Sequence, residues 1–82
     1  MDHQGRAILA KNLKALRDAF GMTQEDVAGA AQIDRSYVSL IETQKYAATV
    51  DMLDKIAPVF HLGIDELLGA DPIKTAKAKR GK

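Results

Sequence analysis

Near the middle of the chain, Arg35-Ser36-Tyr37-Val38-Ser39 gathers side chains suited to hydrogen bonding with a flat heterocycle. Arginine carries a rigid fork of donors that matches guanine O6 and N7, a pairing typically worth ~1–3 kcal/mol of discrimination. Ser36 and Ser39 are short hydroxyls that serve either a base edge or a phosphate. Tyr37 can lay its ring toward a nucleic-acid backbone or a thymine methyl while its hydroxyl finds phosphate. Upstream, Gln24 falls in the first turn of an expected helix, where free amides and the positive end of the dipole attract an anion. For each of these residues the plainer alternative is a solvated polar group on a helix surface.

Catalysis has no comparable foothold. His3 lies near the chain start and His61 stands alone at the end of an expected helix. No residues have metal-ligand spacing, pair as nucleophile and base, or form a glycine loop able to cradle phosphate. The chain contains no cysteine, which removes disulfides and thiolate sites and suits a reducing compartment. The expectation is a non-enzyme with no metal and no cofactor.

The residues that could bind are positioned by short helices. Leu9, Leu13, Leu16 and Phe20 make an apolar stripe of helical spacing, which predicts a helix over about 4–20 stopped by Gly21. Thr23 and Asp26 form a shortened capping box, with Met22 and Val27 as its hydrophobic staple, for a helix over about 23–31. The same grammar follows with Asp34 as cap and Ile33 with Val38 as staple, giving a helix over about 34–43. If Val38 and Ile41 face inward, Arg35, Ser36 and Ser39 face outward. A link as short as Gln32-Ile33 suits a sharply bent helix-turn-helix and not an antiparallel pair.

Thr49 caps a fourth helix over about 50–61, in which Pro58 predicts a kink or frayed last turn. Gly63 opens a fifth, Ile64 to Leu68, closed by Gly69. Beyond Ala70 the pattern dissolves into Pro72 and alternating Lys and Ala, read as a flexible basic tail over 70–82. The expected class is all-α: five helices over 1–69, with the helix-turn-helix at about 23–43, followed by the tail.

At 82 residues, 46% hydrophobic and 5% aromatic, the chain builds one small aliphatic core, marginal without self-association. No apolar run approaches membrane-spanning length and no secretory signal opens the chain. Net charge is +1, but unevenly placed: residues 1–69 hold 7 Lys/Arg against 10 Asp/Glu, or −3, and residues 70–82 hold 5 against 1, or +4. Global charge therefore gives no warrant for a polyanionic partner. The tail cations suit nonspecific phosphate attraction or simple solubility.

Two strings carry a family resemblance. They are Arg17-x-x-x-Gly21-Met22-Thr23-Gln24-Glu25-Asp26-Val27-Ala28 and Ile33-Asp34-Arg35-Ser36-Tyr37-Val38-Ser39-x-Ile41-Glu42. Together they resemble the Xre/Cro-type helix-turn-helix family, to which phage repressors belong, over about residues 6–69. The stretch 34–39 also resembles the recognition helix of restriction–modification controller proteins, which are autoregulatory dimers. One departure is Gln32, where the family usually has Gly; a side chain at positive φ costs roughly 1 kcal/mol, so a local adjustment of the turn is expected.

The resemblance implies a compact, lambda-repressor-like fold and a transcriptional regulator that binds double-stranded DNA as a dimer on a palindromic operator. The recognition helix would be about 34–43, with Arg35, Ser36, Tyr37 and Ser39 at the bases. It implies phosphate contacts from Gln24, Thr43, Gln44, Lys45 and Tyr46, a brace of Gln24 against the third helix, and an ion pair of Arg17 with Glu42 between the first and third helices. Ile64, Leu67 and Leu68 exceed what so small a core can bury, and a two-fold dimer burying them would set two recognition helices ~34–36 Å apart; the alternative is that Leu67 is core and the surplus an ordinary exposed leucine. A cytoplasmic protein of bacterial or phage type, on the nucleoid when bound, is the matching location.

Two other roles resemble relatives of the same fold. One is an antitoxin whose main task is to bind a partner protein, although residues 70–82 lack an apolar anchor for one. The other is activation through Glu25, near the position where some relatives present acidic residues to the sigma subunit of RNA polymerase.

Overall fold

The structure is a computed structural model that describes residues 4–80. Its elements are α1 (Gln4–Ala19), α2 (Gln24–Ala31), α3 (Arg35–Glu42), α4 (Val50–Ile56), a 3-10 turn (Ala57–Phe60), α5 (Ile64–Leu67) and α6 (Pro72–Arg80). No strand occurs among the described residues, and no helix is long and apolar enough to cross a membrane. The largest fully buried side chains are Phe60, Leu13, Leu16, Ile41, Ile56, Leu67, Val27 and Val38, drawn from α1 to α5 and the 3-10 turn. Phe20 stacks on Phe60 with ring centroids 6.2 Å apart.

The helix boundaries follow from caps. Gly21 takes φ 64° and lets the Met22 amide donate to the Arg17 carbonyl at 2.8 Å, which closes α1. Thr23 Oγ1 accepts from the Asp26 amide at 3.0 Å and the Thr23 amide donates to Asp26 Oδ2 at 2.8 Å, so the shortened capping box forms at the head of α2. Thr49 caps α4 by accepting from the Met52 amide at 3.1 Å.

Four expectations are corrected. Helix 4 stops at Ile56 and does not run to about residue 61, and the break expected at Pro58 takes the form of a 3-10 turn over Ala57–Phe60, because Pro58 lacks an amide, before His61 at φ 61°. Asp34 occupies the cap position of α3 with extended backbone, but its side chain makes no cap bond. The turn after α2 is not adjusted to avoid strain: Gln32 itself adopts φ 59°, and the Ile33 amide donates to the Ala28 carbonyl at 3.0 Å as it would after a glycine.

The fourth correction is the largest. The segment expected to be a flexible tail is helical over Pro72–Arg80 and packs on α1 and α5, burying Ala76 and half-burying Ile73. Asp71 Oδ1 accepts from the Lys74 amide at 3.3 Å, and Pro72 stands at the first helical position, where it has no amide to waste. The alternation of Lys with Ala is good helix composition once a few small apolar residues find a surface. The folded unit therefore has six α-helices among the described residues and does not end at residue 69.

Candidate nucleic-acid interface

α3 is amphipathic across its whole length. Val38 and Ile41 are fully buried, while Arg35, Ser36 and Tyr37 are exposed and Ser39 is half-buried. The 3.6-residue period thus holds the core with one side of α3 and leaves hydrogen-bonding groups on the other. α2 packs against α3, and its first residue, Gln24, lies beside the head of α3: Arg35 Nη1 donates to Gln24 Oε1 at 3.5 Å.

Beneath that surface a polar cluster locks three helices together. Arg17 Nε donates to Glu42 Oε2 at 2.7 Å, Arg17 Nη2 to Glu42 Oε1 at 2.9 Å, and Arg17 Nη1 to the Met22 carbonyl at 3.1 Å. Gln24 Nε2 adds a donor to Glu42 Oε1 at 3.2 Å. The hydrogen bond to Glu42 pushes the Arg17 guanidinium above its ordinary pKa; burial opposes this, and the Glu42 and Asp18 charges reinforce it. Both side chains are mostly withdrawn from water, at 14% and 7% exposure, so this pair is not a screened surface contact.

The segment after α3 is shaped by its own caps. The Lys45 amide donates to the Leu40 carbonyl at 2.9 Å, which puts Gln44 at φ 62° and leaves Gln44 and Lys45 exposed. Thr43 Oγ1 donates back to the Ser39 carbonyl at 2.9 Å, so its proton is spent within the helix end. Tyr46 is half-buried against the core and its ring lies 5.3 Å from that of Tyr37. That contact ties the loop to the exposed side of α3.

Gln24 thus meets Arg35; Ser36 and Ser39 lie outside the core on the same helix, and Tyr37 faces Tyr46 on its other flank, with Thr43, Gln44 and Lys45 following at the end of α3. The residues expected at a dimer contact are not equivalent. Leu67 is fully buried in the core of one chain, which removes it from any interface; Ile64 is half-buried against the same core, and Leu68 is 36% exposed. Leu67 is inward because α6 covers α5 and because Asn12 fixes the end of α5, donating through Nδ2 to the Leu67 carbonyl at 2.7 Å and the Gly69 carbonyl at 2.9 Å. Sequence reasoning missed Asn12; its signal was an amide set next to the buried stripe of α1, where it is 6% exposed. No group of three or more metal-ligating side chains occurs among the described residues.

Chemically, this surface offers a guanidinium fork, two serine hydroxyls, a phenol and, at its margins, glutamine amides and one ammonium. A family model described as helix-turn-helix matches residues 13–67. A relative from Neisseria meningitidis serogroup B (strain ATCC BAA-335 / MC58), described as a Neisseria hypothetical transcription factor, is 32% identical over 63 residues. The match covers 77% of this chain and 59% of that protein, so the chain spans little more than half of its relative. No solved structure matches the chain significantly.

Proposed function

Because this chain belongs to the helix-turn-helix family of Xre/Cro type, we propose that it is a transcriptional regulator that binds double-stranded DNA by sequence, with α3 as the recognition helix. The observation that carries this reading is the two-sided α3: Val38 and Ile41 anchor it while Arg35, Ser36 and Ser39 remain available on the other side. An α-helix presented in this way fits the major groove, where the four base pairs are distinguishable. The relative's description as a transcription factor supports the same reading.

Within it, Arg35 reads guanine, Ser36 and Ser39 contact base edges or phosphate, and Tyr37 packs along the backbone or a thymine methyl. Gln24, Thr43, Gln44, Lys45 and Tyr46 hold phosphates: Gln24 through its first-turn backbone amide, because its side-chain nitrogen faces Glu42, and Thr43 through a hydroxyl that turns from the Ser39 carbonyl to the phosphate. The regulator acts as a homodimer on a palindromic operator, with Leu68 and the exposed part of Ile64 as its apolar contact. It acts in the cytoplasm and is autoregulatory, as a controller protein is, and the exposed Glu25 in the first turn of α2 is its candidate contact to the sigma subunit.

The test is binding of the chain to the DNA upstream of its own gene against a scrambled duplex of equal length, at several salt concentrations. A protected, symmetric site preferred by about a thousandfold or more supports the reading. Equal affinity for both duplexes contradicts it.

A further inference from the structure

Glu42 lies seven residues from Arg35, about two turns along α3, and its side chain is only 7% exposed. Its carboxylate nevertheless reaches Arg35 in two hydrogen-bonded steps. Glu42 Oε1 accepts from Gln24 Nε2 at 3.2 Å, and Gln24 Oε1 accepts from Arg35 Nη1 at 3.5 Å. An amide has two unlike ends, and an ionised carboxylate only accepts. With Glu42 behind it, Gln24 must turn its nitrogen inward and its oxygen outward. The flipped amide would set oxygen against carboxylate and NH2 against guanidinium.

The outward oxygen engages Nη1 and leaves Nε and Nη2 of Arg35 on the opposite edge of the plane, two parallel donors suited to O6 and N7 of one guanine. The 3.5 Å contact is long enough to restrain the guanidinium without holding it back from a stronger acceptor. Arg17 keeps the carboxylate itself from rotating, through Nε, Nη2 and the anchor of Nη1 on the Met22 carbonyl. The cluster therefore runs from the α1–α3 ion pair to the reading side chain without a gap.

We infer that Glu42 is a positioning residue for base reading: through the amide of Gln24 it fixes which edge of the Arg35 guanidinium is presented to DNA. This rests on the DNA-binding function proposed above and goes beyond the role of Glu42 in joining two helices. A residue that only set the helix angle would affect stability, and affinity for all DNA alike. A positioning residue changes one base preference, at the position Arg35 reads.

The full chain is incubated with a pool of duplexes carrying a randomised central segment, and the bound fraction is sequenced. Arg35→Ala identifies the position at which guanine preference disappears. Glu42→Leu lowers the guanine preference at that position by about fivefold or more, the lower end of what such a pair discriminates, with the rest of the motif intact. Arg17→Lys keeps a cation against Glu42 but gives up one of the two donors that hold its carboxylate, so it lowers the same preference less than Glu42→Leu does. Gln24→Leu leaves the ion pair whole, so it folds even if Glu42→Leu does not, and it loses the preference at the same position. A Glu42→Leu motif that keeps the full guanine preference at that position overturns the inference, as does a Gln24→Leu variant that weakens all sequences uniformly. A pool in which the unmodified protein enriches no motif is a different result: it removes the DNA-reading function and this inference with it.

Discussion

Between Thr23 and Glu42 a set of polar side chains is bonded across helices, whereas between Gly63 and Lys79 the polar side chains bond mostly within their own helix starts or face water. In α2 and α3, Gln24, Arg35, Glu42 and, from α1, Arg17 form one connected cluster on top of Val27, Val38 and Ile41. In α5 and α6, Leu67 and Ala76 are wedged into the core, Glu66 and Asp71 cap their own helix starts, and Lys74 and Lys77 are exposed. The first region combines anchoring with an organised outer surface. The second completes the core and leaves its outer surface unorganised, apart from the Glu66–Lys79 pair. The difference separates a part of the molecule built to present groups from a part built to hold that presentation still.

The strongest way to break this comparison is at Leu67. Leu67→Ala removes a fully buried side chain and should cost ~2–5 kcal/mol, whereas Leu68→Ala next to it should cost less than about 1 kcal/mol. Urea midpoints of the two variants check it. Equal midpoints would mean that α5 does not wedge the core.

Removal of residues after Gly69 should cost about 1–2 kcal/mol, since it uncovers the apolar seat of Ile73 and Ala76. Such a truncation cannot isolate the charge of α6. Lys74→Gln with Lys77→Gln can: it should stay within about 0.5 kcal/mol in stability. If these cations reach phosphates, each one engaged contributes ~0.9 to the slope of log K against log salt, and the double variant flattens that slope. An unchanged slope would make α6 purely a packing element.

The turn between α2 and α3 offers an intermediate effect. Gln32→Val places a β-branched residue at φ 59° and should cost ~1–2 kcal/mol by thermal unfolding, while Gln32→Gly relieves the strain. The smallest effect is a pH dependence at Glu66, whose carboxyl is held below its ordinary pKa by the Gly63 amide first and by Lys79 second. A depressed carboxylate pKa means stability that is present above the unfolded-state value and drains as pH falls through the folded-state value. Glu66→Gln should therefore lower the melting temperature slightly at neutral pH and leave it almost unchanged at acid pH, flattening the acid side of the profile. A steeper acid limb in that variant would contradict the assignment.

The same two regions differ in how legible they were. α2 and α3 announce themselves through Thr23, Asp26, Met22, Val27, Ile33 and Val38, because caps and staples are local and their spacing is rigid. The outward placement of Arg35, Ser36 and Ser39 then follows from Val38 and Ile41 alone. α6 carries little local signal, since its packing depends on a seat formed by residues some sixty positions earlier in α1. Leu67 was misjudged for the same reason: without α6 the core looks too small to take it. Nor can spacing reveal that the carboxylate of Glu42 is shared between Arg17 and Gln24, because that depends on the packing of three helices.

The central claim is that α3 reads bases through Arg35, and its most direct test is the affinity of Arg35→Ala for the preferred duplex and for a scrambled one at the same salt. The account predicts a loss of ~1–3 kcal/mol on the preferred duplex and a far smaller loss on the scrambled one, with the variant as stable as the parent. Equal losses on the two duplexes would show that Arg35 supplies only charge, and would contradict the account.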